Sequence, residues 1–107
     1  MLKPIEFAGD SLARLREFPV SARRTAGYQL DRVQRGLEPD DWRPIQTIGR
    51  SVHEIRIRDR SGAFRVIYLA TLADRVVVLH AFQKKTQRTT KHELDLAAKR
   101  LRDVRKD

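Results

Sequence analysis

The middle of the chain carries the clearest pattern of apolar and polar positions. Ile55 and Ile57 alternate with charged side chains, which is typical of a strand with one polar face. The two runs that follow are apolar on both faces, as central strands are. Turn residues separate the runs at 59–62 and 72–74. The pattern therefore predicts three consecutive strands, over 53–59, 63–71 and 75–83.

Helical spacing dominates the sequence before these strands. A short strand is predicted over 2–7, and a short helix is predicted to begin at Asp10 or Ser11. A second helix has Pro19 in its first turn and ends near Gly36. Its predicted apolar stripe consists of Ala22, Ala26, Leu30, Val33 and Leu37.

The segments on either side of the three strands differ in character. Residues 38–50 contain three helix or strand breakers and are predicted to be a connection, with Trp42 and Ile45 packed on the core. Thr90 and Glu93 have the spacing of a capping box, which predicts a last helix. The apolar stripe of that helix consists of Leu94, Ala97, Ala98, Leu101 and Val104.

These elements predict an α+β fold. Their order is β-α-α-β-β-β-α, with a small, mainly antiparallel sheet, an N-terminal helical hairpin and a C-terminal helix. A chain of 107 residues has room for one core, so we expect a single domain over 1–107.

Charge and composition limit the kind of partner. The chain has 23 Lys and Arg against 14 Asp and Glu, a formal net charge of +9, which favours a polyanion such as nucleic acid. It has no cysteine, and its three histidines have no metal-ligand spacing, so no metal or cofactor is expected. The longest apolar run, over 76–79, is too short for a membrane. We expect a cytoplasmic protein without a membrane partner.

Strand pairing at the first turn gives an unusual arrangement. If Asp59 pairs with Gly62 across a two-residue turn, Arg56 lies opposite Arg65 on the same face. Like charges that face each other across two strands destabilise a sheet. Either an anion binds between them, or Arg65 has a carboxylate of its own.

The second turn extends this face to the last strand. If Leu72 pairs with Arg75, then Phe82 lies opposite Arg65, and His80 lies on the same face. The predicted face consists of Arg56, Arg65, His80, Phe82 and Lys84.

Two interpretations of this face remain open. In the structural one, Arg65 pairs with Glu54 or Asp59, and the other charged side chains are solvated surface. In the functional one, the cations form a cleft for phosphate and Phe82 stacks on a base.

The second interpretation supports cleavage of RNA, because RNA supplies its own 2′-OH nucleophile. The reaction then requires orientation, cations beside the phosphate, and a proton-transfer group. The available cations are Arg56, Arg65, Lys84 and Lys85. Among the three histidines we favour His92 for proton transfer, because it lies at the start of the last helix, just beyond these lysines. His80 is more simply interpreted as a half-buried strand histidine, and for His53 a place at the surface is an equally good interpretation.

The sequence motifs resemble a known family. The run HEIRIRDRSGAFRVIYLA and the later run VVVLHAFQKKTQRTTKHELDLAAKRL resemble phage-derived Gp49-like, HigB-type toxins of the RelE/ParE superfamily. The resemblance extends from about Gly49 to Leu101. It depends on the combination of E-I-R, F-R-V-x-Y, F-x-K-K-T and A-x-x-R-L.

This resemblance implies a RelE/ParE-like fold and the toxin of a type II toxin–antitoxin system. It implies an endoribonuclease that cleaves mRNA on the ribosome, inhibits translation, requires no metal, and is neutralised by a helix-turn-helix (HigA-like) antitoxin. The catalytic residues would be Arg65, Lys84 and His92. The RNA-binding residues would be Arg56, Arg58, Phe82 and Lys85.

Three alternatives remain open on the sequence. The first is a ParE-like DNA gyrase poison without nuclease activity. The second is a basic nucleic-acid-binding protein without toxicity, and the third is a degenerate toxin that only binds its antitoxin.

Overall fold

The elements of the fold come from a computed structural model, which describes residues 2–70 and 72–105. Within these ranges the order of the elements is β1 (Ile5–Phe7), α1 (Ser11–Arg16), α2 (Val20–Gln34), β2 (Trp42–Pro44), β3 (Val52–Asp59), β4 (Gly62–Leu69), β5 (Val76–Lys84) and α3 (Lys91–Arg105). No helix in the described parts of the chain is long and apolar enough to cross a membrane.

The strands form one sheet in the order β1-β5-β4-β3-β2. Strand β1 runs parallel to β5, and the other pairs are antiparallel. The predicted α+β class and mainly antiparallel sheet are confirmed. The prediction that 38–50 is only a connection is wrong, because it contains the edge strand β2. That strand has three residues and ends at Pro44, so it lacks the alternation that identifies a longer strand.

Helices cover the two faces of the sheet separately. Helices α1 and α2 pack on one face, where the buried residues include Leu15, Phe18, Ala26, Ile55 and Phe64. Helix α3 packs on the other face through Ala97 and Leu101, against Val52, Ile67, Leu69 and Leu79. Because α3 covers only part of its face, the rest is open for polar side chains.

The N-terminal helices follow the predicted apolar pattern except at one position. Ala22, Ala26, Leu30 and Val33 are buried as expected. Leu37 is 50% exposed, so its predicted place in the stripe is wrong. The helix ends at Gln34, and Gly36 then has φ +81°, which turns the chain away before Leu37.

The last helix begins with half of the predicted capping box. The backbone N–H of Glu93 donates to Thr90 Oγ1 at 3.4 Å, as expected for an N-cap. The Glu93 carboxylate lies 3.2 Å from His80 Nε2 and so contacts the sheet instead of completing the box.

The register at the first turn is as predicted. Asp59 pairs with Gly62, and Arg56 pairs with Arg65. Gly62 has φ +136°, a conformation that L-residues rarely adopt. The turn therefore places the two arginines side by side, on the face of the sheet that α3 partly covers.

The predicted pairing of Arg65 with Phe82 is correct, although the turn assumed for it is wrong. Phe82 lies opposite Arg65, as predicted, but the pairing shifts between Ile67 and Tyr68. The last described pair is Leu69 with Val77, which does not agree with the assumed pairing of 72 with 75. A β-bulge at Leu79 supplies the extra residue that restores the expected register. Thr71, the predicted end of the middle strand, lies outside the described residues.

Candidate functional site

A cleft of about 720 Å³ opens on the α3 face of the sheet, where β2, β3, β4 and the end of β5 meet. Six basic side chains line this cationic cleft: Arg43, Arg56, Arg58, Arg65, Lys84 and Arg88. Side chains from the segments after β2 and β5 form its walls. Alternation along the strands explains the cluster, because every second residue of a strand points to the same face.

The floor of the cationic cleft contains one carboxylate. Glu54 has no exposed surface, and its Oε1 lies 3.6 Å from Arg65 Nε and 3.1 Å from Arg43 Nε. Thr89 Oγ1 donates to the other carboxylate oxygen at 3.2 Å. The predicted solvation of this face of β3 is therefore wrong at Glu54, since Arg43, Arg65 and Thr89 enclose the side chain.

Arg65 is the most buried cation of the cleft, with 7% of its surface exposed. The structural interpretation was right that it pairs with Glu54, yet its guanidinium also lines the cleft. Its Nη1 donates to the carbonyl of Phe64 at 3.0 Å, while its buried Nε has no hydrogen-bond partner. A buried N–H without a partner is costly, and the Glu54 carboxylate, 3.6 Å away, offsets only part of this cost.

The electrostatics of Arg65 agree with this geometry. Burial lowers its pKa, the charge of Glu54 opposes the shift, and the nearby charges of Arg56 and Arg43 add to it. The positive charge of the guanidinium is therefore only partly compensated by the charges around it. A phosphate group has the charge and the acceptor oxygens that this site lacks.

Arg56 is held by a carboxylate at the rim of the cleft. Its Nε donates to Asp41 Oδ1 at 3.0 Å, and its Nη2 lies 2.9 Å from the same oxygen. Both side chains are more than one-third exposed, so the pair is solvated. The neighbouring Arg58 is exposed and lines the cleft beside it.

Lys84 closes the cleft at the end of β5. Its Nζ donates to the carbonyl of Gln87, which ties the strand to the segment after it. Burial lowers the pKa of Lys84, and the charge of Arg65 lowers it further. Four residues predicted for the site, Arg56, Arg58, Arg65 and Lys84, thus lie together.

The other three predicted site residues lie elsewhere. Phe82, Lys85 and His92 line a second depression of about 420 Å³, which we call the β5-edge groove. None of the three lines the cationic cleft. Phe82 lies opposite Arg65 in register, but its ring stacks on His80, 5.2 Å away, toward the free edge of β5. Phe82, Lys85 and His92 therefore do not line the cleft that contains Arg65, and their predicted roles stay untested.

The remaining histidines have structural surroundings. His80 is buried, with its Nε2 facing Glu93 and its Nδ1 3.0 Å from Arg100 Nη1. His53 is half-buried and stacks on Trp42 with the ring centroids 4.3 Å apart, so it is not a simple surface residue. Burial lowers the pKa of both histidines.

Two basic residues of the cleft were not found from the sequence, and the burial of its carboxylate was not expected. Arg43 lies on β2, the strand that was missed, and Arg88 lies in a polar segment without a periodic pattern. Glu54 was assigned to a solvated face. In the described parts of the chain, no group of three or more His, Cys, Asp or Glu side chains is placed to hold a metal ion.

Comparison with protein families matches residues 13–102 to the family described as phage-derived protein Gp49-like. Among solved structures, a mutant of the E. coli toxin RelE in the free state matches with a TM-score of 0.64 and 14% sequence identity. The match covers 97% of this chain and 99% of that one, so the two folds correspond over nearly their whole length. No curated protein sequence matches the chain.

Proposed function

The chain belongs to the Gp49-like family of phage-derived proteins, and on that premise we propose that it is the toxin of a type II toxin–antitoxin system that cleaves mRNA on the ribosome. The observation that carries the proposal is the buried guanidinium of Arg65, whose Nε has no partner in a cleft with six basic side chains. RNA is the polyanion that also supplies a nucleophile of its own.

The proposed reaction is attack of a 2′-OH on the adjacent phosphorus, which forms a 2′,3′-cyclic phosphate and breaks the bond to the 5′ oxygen of the next nucleotide. The proton of the 2′-OH passes to water, and the departing 5′ oxygen takes a proton from water. Arg65 and Lys84 would neutralise the charge that develops on the phosphate oxygens. Arg56, Arg58 and Arg88 would hold the flanking phosphates. His92, which was expected to transfer a proton, lines the β5-edge groove, so the proposal does not give it this role.

Glu54 would act as a positioning residue in this proposal. Its carboxylate lies between Arg43 and Arg65 and fixes the direction of both guanidinium groups. A preorganised cation loses no reorganisation energy when the charge of the transition state develops. The ribosome would orient the message, and this part of the catalysis does not require a side chain of the toxin.

The proposal extends to partners and place of action. The toxin acts on ribosomes in the cytoplasm, as a single domain over 1–107 that needs no cofactor. A helix-turn-helix antitoxin binds and neutralises it. The net charge of +9 suits both ribosomal RNA and an acidic antitoxin.

The test is toeprinting of a defined message on translating ribosomes with the wild-type protein and two variants. Arg65→Gln removes the buried charge but keeps a long side chain, and we expect a loss of cleavage of about 100-fold or more. Arg24→Gln is the matched control, because Arg24 is exposed on α2 and does not line the cleft.

Cuts that depend on ribosomes and on Arg65 would support the proposal. An uncut message with folded wild-type protein would contradict it. Inhibition of DNA supercoiling in a parallel assay would then favour the gyrase poison.

A further inference from the structure

The last strand of the sheet has an edge without a neighbour. Strand β1 covers β5 only from Val76 to Val78, and Arg100 Nη1 binds the carbonyl of Leu79 at 3.0 Å. From His80 to Lys84 no described strand lies beside this edge. Its outward backbone N–H and C=O groups are therefore available as donors and acceptors.

The β5-edge groove runs along this free edge between two helical walls. Its floor contains the rings of Phe82 and Phe64, which are 8% and 1% exposed. Pro19 lies on the α1–α2 side, and Leu96 and the exposed His92 lie on the α3 side. The groove thus combines an apolar floor, an exposed aromatic ring and a row of backbone hydrogen-bonding groups.

Most charges in this groove already have partners. Arg14 pairs with Glu17 at 3.2 Å, and Glu93 lies beside His80. Among the described ion pairs, none involves Lys85, which leaves one basic side chain at the rim. A site with so little net charge is better suited to a base than to a phosphate.

A third depression links the linings of the groove and of the cationic cleft. This smaller depression under the segment after β5 shares Phe82, Lys85 and Glu93 with the groove. It shares Lys84, Arg88 and Thr89 with the cleft. A polynucleotide with one phosphate at Arg65 can therefore continue past Lys84 and Lys85 and reach the groove.

From these observations we propose that the β5-edge groove binds the base of a nucleotide beside the cleaved bond and so sets the sequence preference of cleavage. The inference rests on the proposed function, since it assumes RNA in the cleft. The backbone edge of β5 reads the hydrogen-bonding edge of the base, and the His92 ring stacks on its face. His92 thereby has a binding role.

The proposed base binding can be tested by measuring the affinity of the protein for short RNA analogues that it cannot cleave. Analogues with 2′-deoxy sugars lack the nucleophile, so the wild-type protein can be studied intact. We expect a dinucleotide to bind about tenfold more tightly than a mononucleotide diphosphate. Leu96→Trp, which fills the groove, and His92→Ala, which removes the stacking ring, should each abolish this gain. Lys99→Ala is the control, because Lys99 lies on α3 but does not line the groove.

The NMR signals of the backbone amides from His80 to Lys84 give a second readout. They should shift with the dinucleotide and not with the mononucleotide. An equal gain in wild type, Leu96→Trp and His92→Ala would overturn the inference while leaving RNA binding in the cleft intact. That result would favour a partner protein that adds a strand to this edge. No binding of either analogue would overturn the proposed function as well.

Discussion

The carboxylate of Glu54 and the guanidinium of Arg65 lie diagonally across two central strands, with Oε1 and Nε 3.6 Å apart and both side chains buried. Glu54 is the carboxylate paired with Arg65, but Arg43 Nε lies closer to it, at 3.1 Å, and the distance of 3.6 Å to Arg65 is too long for a hydrogen bond. The pair is therefore held in place without being fully satisfied. This is the arrangement expected of a cation that has to accept a further anion.

Removing the carboxylate of this pair should destabilise the protein. In Glu54→Gln, Arg43 and Arg65 lose their shared anion, and we expect the free energy of unfolding to fall by about 3 kcal/mol. The double variant Glu54→Gln with Arg65→Gln should lose less than the sum of the two single variants, because the uncompensated buried charge is gone. Urea denaturation measures this, with the exposed Glu38→Gln as the control. Strict additivity would contradict the assigned coupling.

Releasing Arg56 from its carboxylate should strengthen RNA binding. In Asp41→Asn the guanidinium of Arg56 has no anionic partner in the free protein. A phosphate of RNA can then bind Arg56 without displacing a carboxylate. The pair is solvated, and we expect affinity to rise by no more than about fivefold. Fluorescence anisotropy with a 2′-deoxy analogue at fixed salt measures the change. Asp31→Asn is the control, because it releases the exposed Arg35 at the C-terminal end of α2, away from the cleft. Weaker binding would show that Asp41 orients Arg56 for RNA.

The stability of the protein should decrease on mild acidification. Burial lowers the pKa of His80 and of His53, although Glu93 opposes the shift at His80. The unfolded state, where the histidine pKa is about 6.5, therefore binds protons more readily than the folded state. The free energy of unfolding should stay level well above that pH and fall as the pH drops below about 6.5.

Urea denaturation at several pH values in this range measures the slope of the free energy of unfolding against pH. His80→Gln should reduce this slope, because it removes one of the two histidines whose pKa is lowered by burial. A stability that rises on acidification would contradict the prediction.

Two glycines without close neighbours should respond in opposite directions to alanine. Gly27 lies inside α2 with ordinary helical geometry, so Gly27→Ala should raise the free energy of unfolding by about 0.5–1 kcal/mol. Gly36 has φ +81°, so Gly36→Ala should lower it by about 1 kcal/mol. An added methyl group meets nothing within 4 Å at either site, so the difference reports on the backbone alone. Denaturation curves that shift in the same direction would contradict this.

The sequence alone was sufficient to predict the helices, four of the five strands, and the register between β3 and β4. The turn at 59–62 has a two-residue loop with a glycine where φ is positive, and this geometry fixes the pairing of Arg56 with Arg65. The second register was correct only because the bulge at Leu79 offset a wrong turn assumption. A bulge depends on packing across the sheet and leaves no local pattern to detect.

The site was harder to predict than the fold. Alternation places a side chain on a face but does not tell how much of that face another element covers. Glu54 was expected in water because the enclosure by Arg43 and Thr89 comes from distant segments. Phe82 and Arg65 are neighbours in register, yet their side chains line different depressions. The direction of a side chain on a strand depends on packing and cannot be obtained from register alone.

The place of β5 in the sheet has a consequence for synthesis of the protein. This strand is made last but lies between β1 and β4, so β1 has no partner until Val76–Val78 has been translated. The pairing joins residues about 70 positions apart, which delays folding until most of the chain is available. A chain that stops before Val76 should therefore show no cooperative unfolding transition. The cationic cleft also includes Lys84 at the end of this strand and Arg88 beyond it, so the cleft cannot form before both residues have been translated.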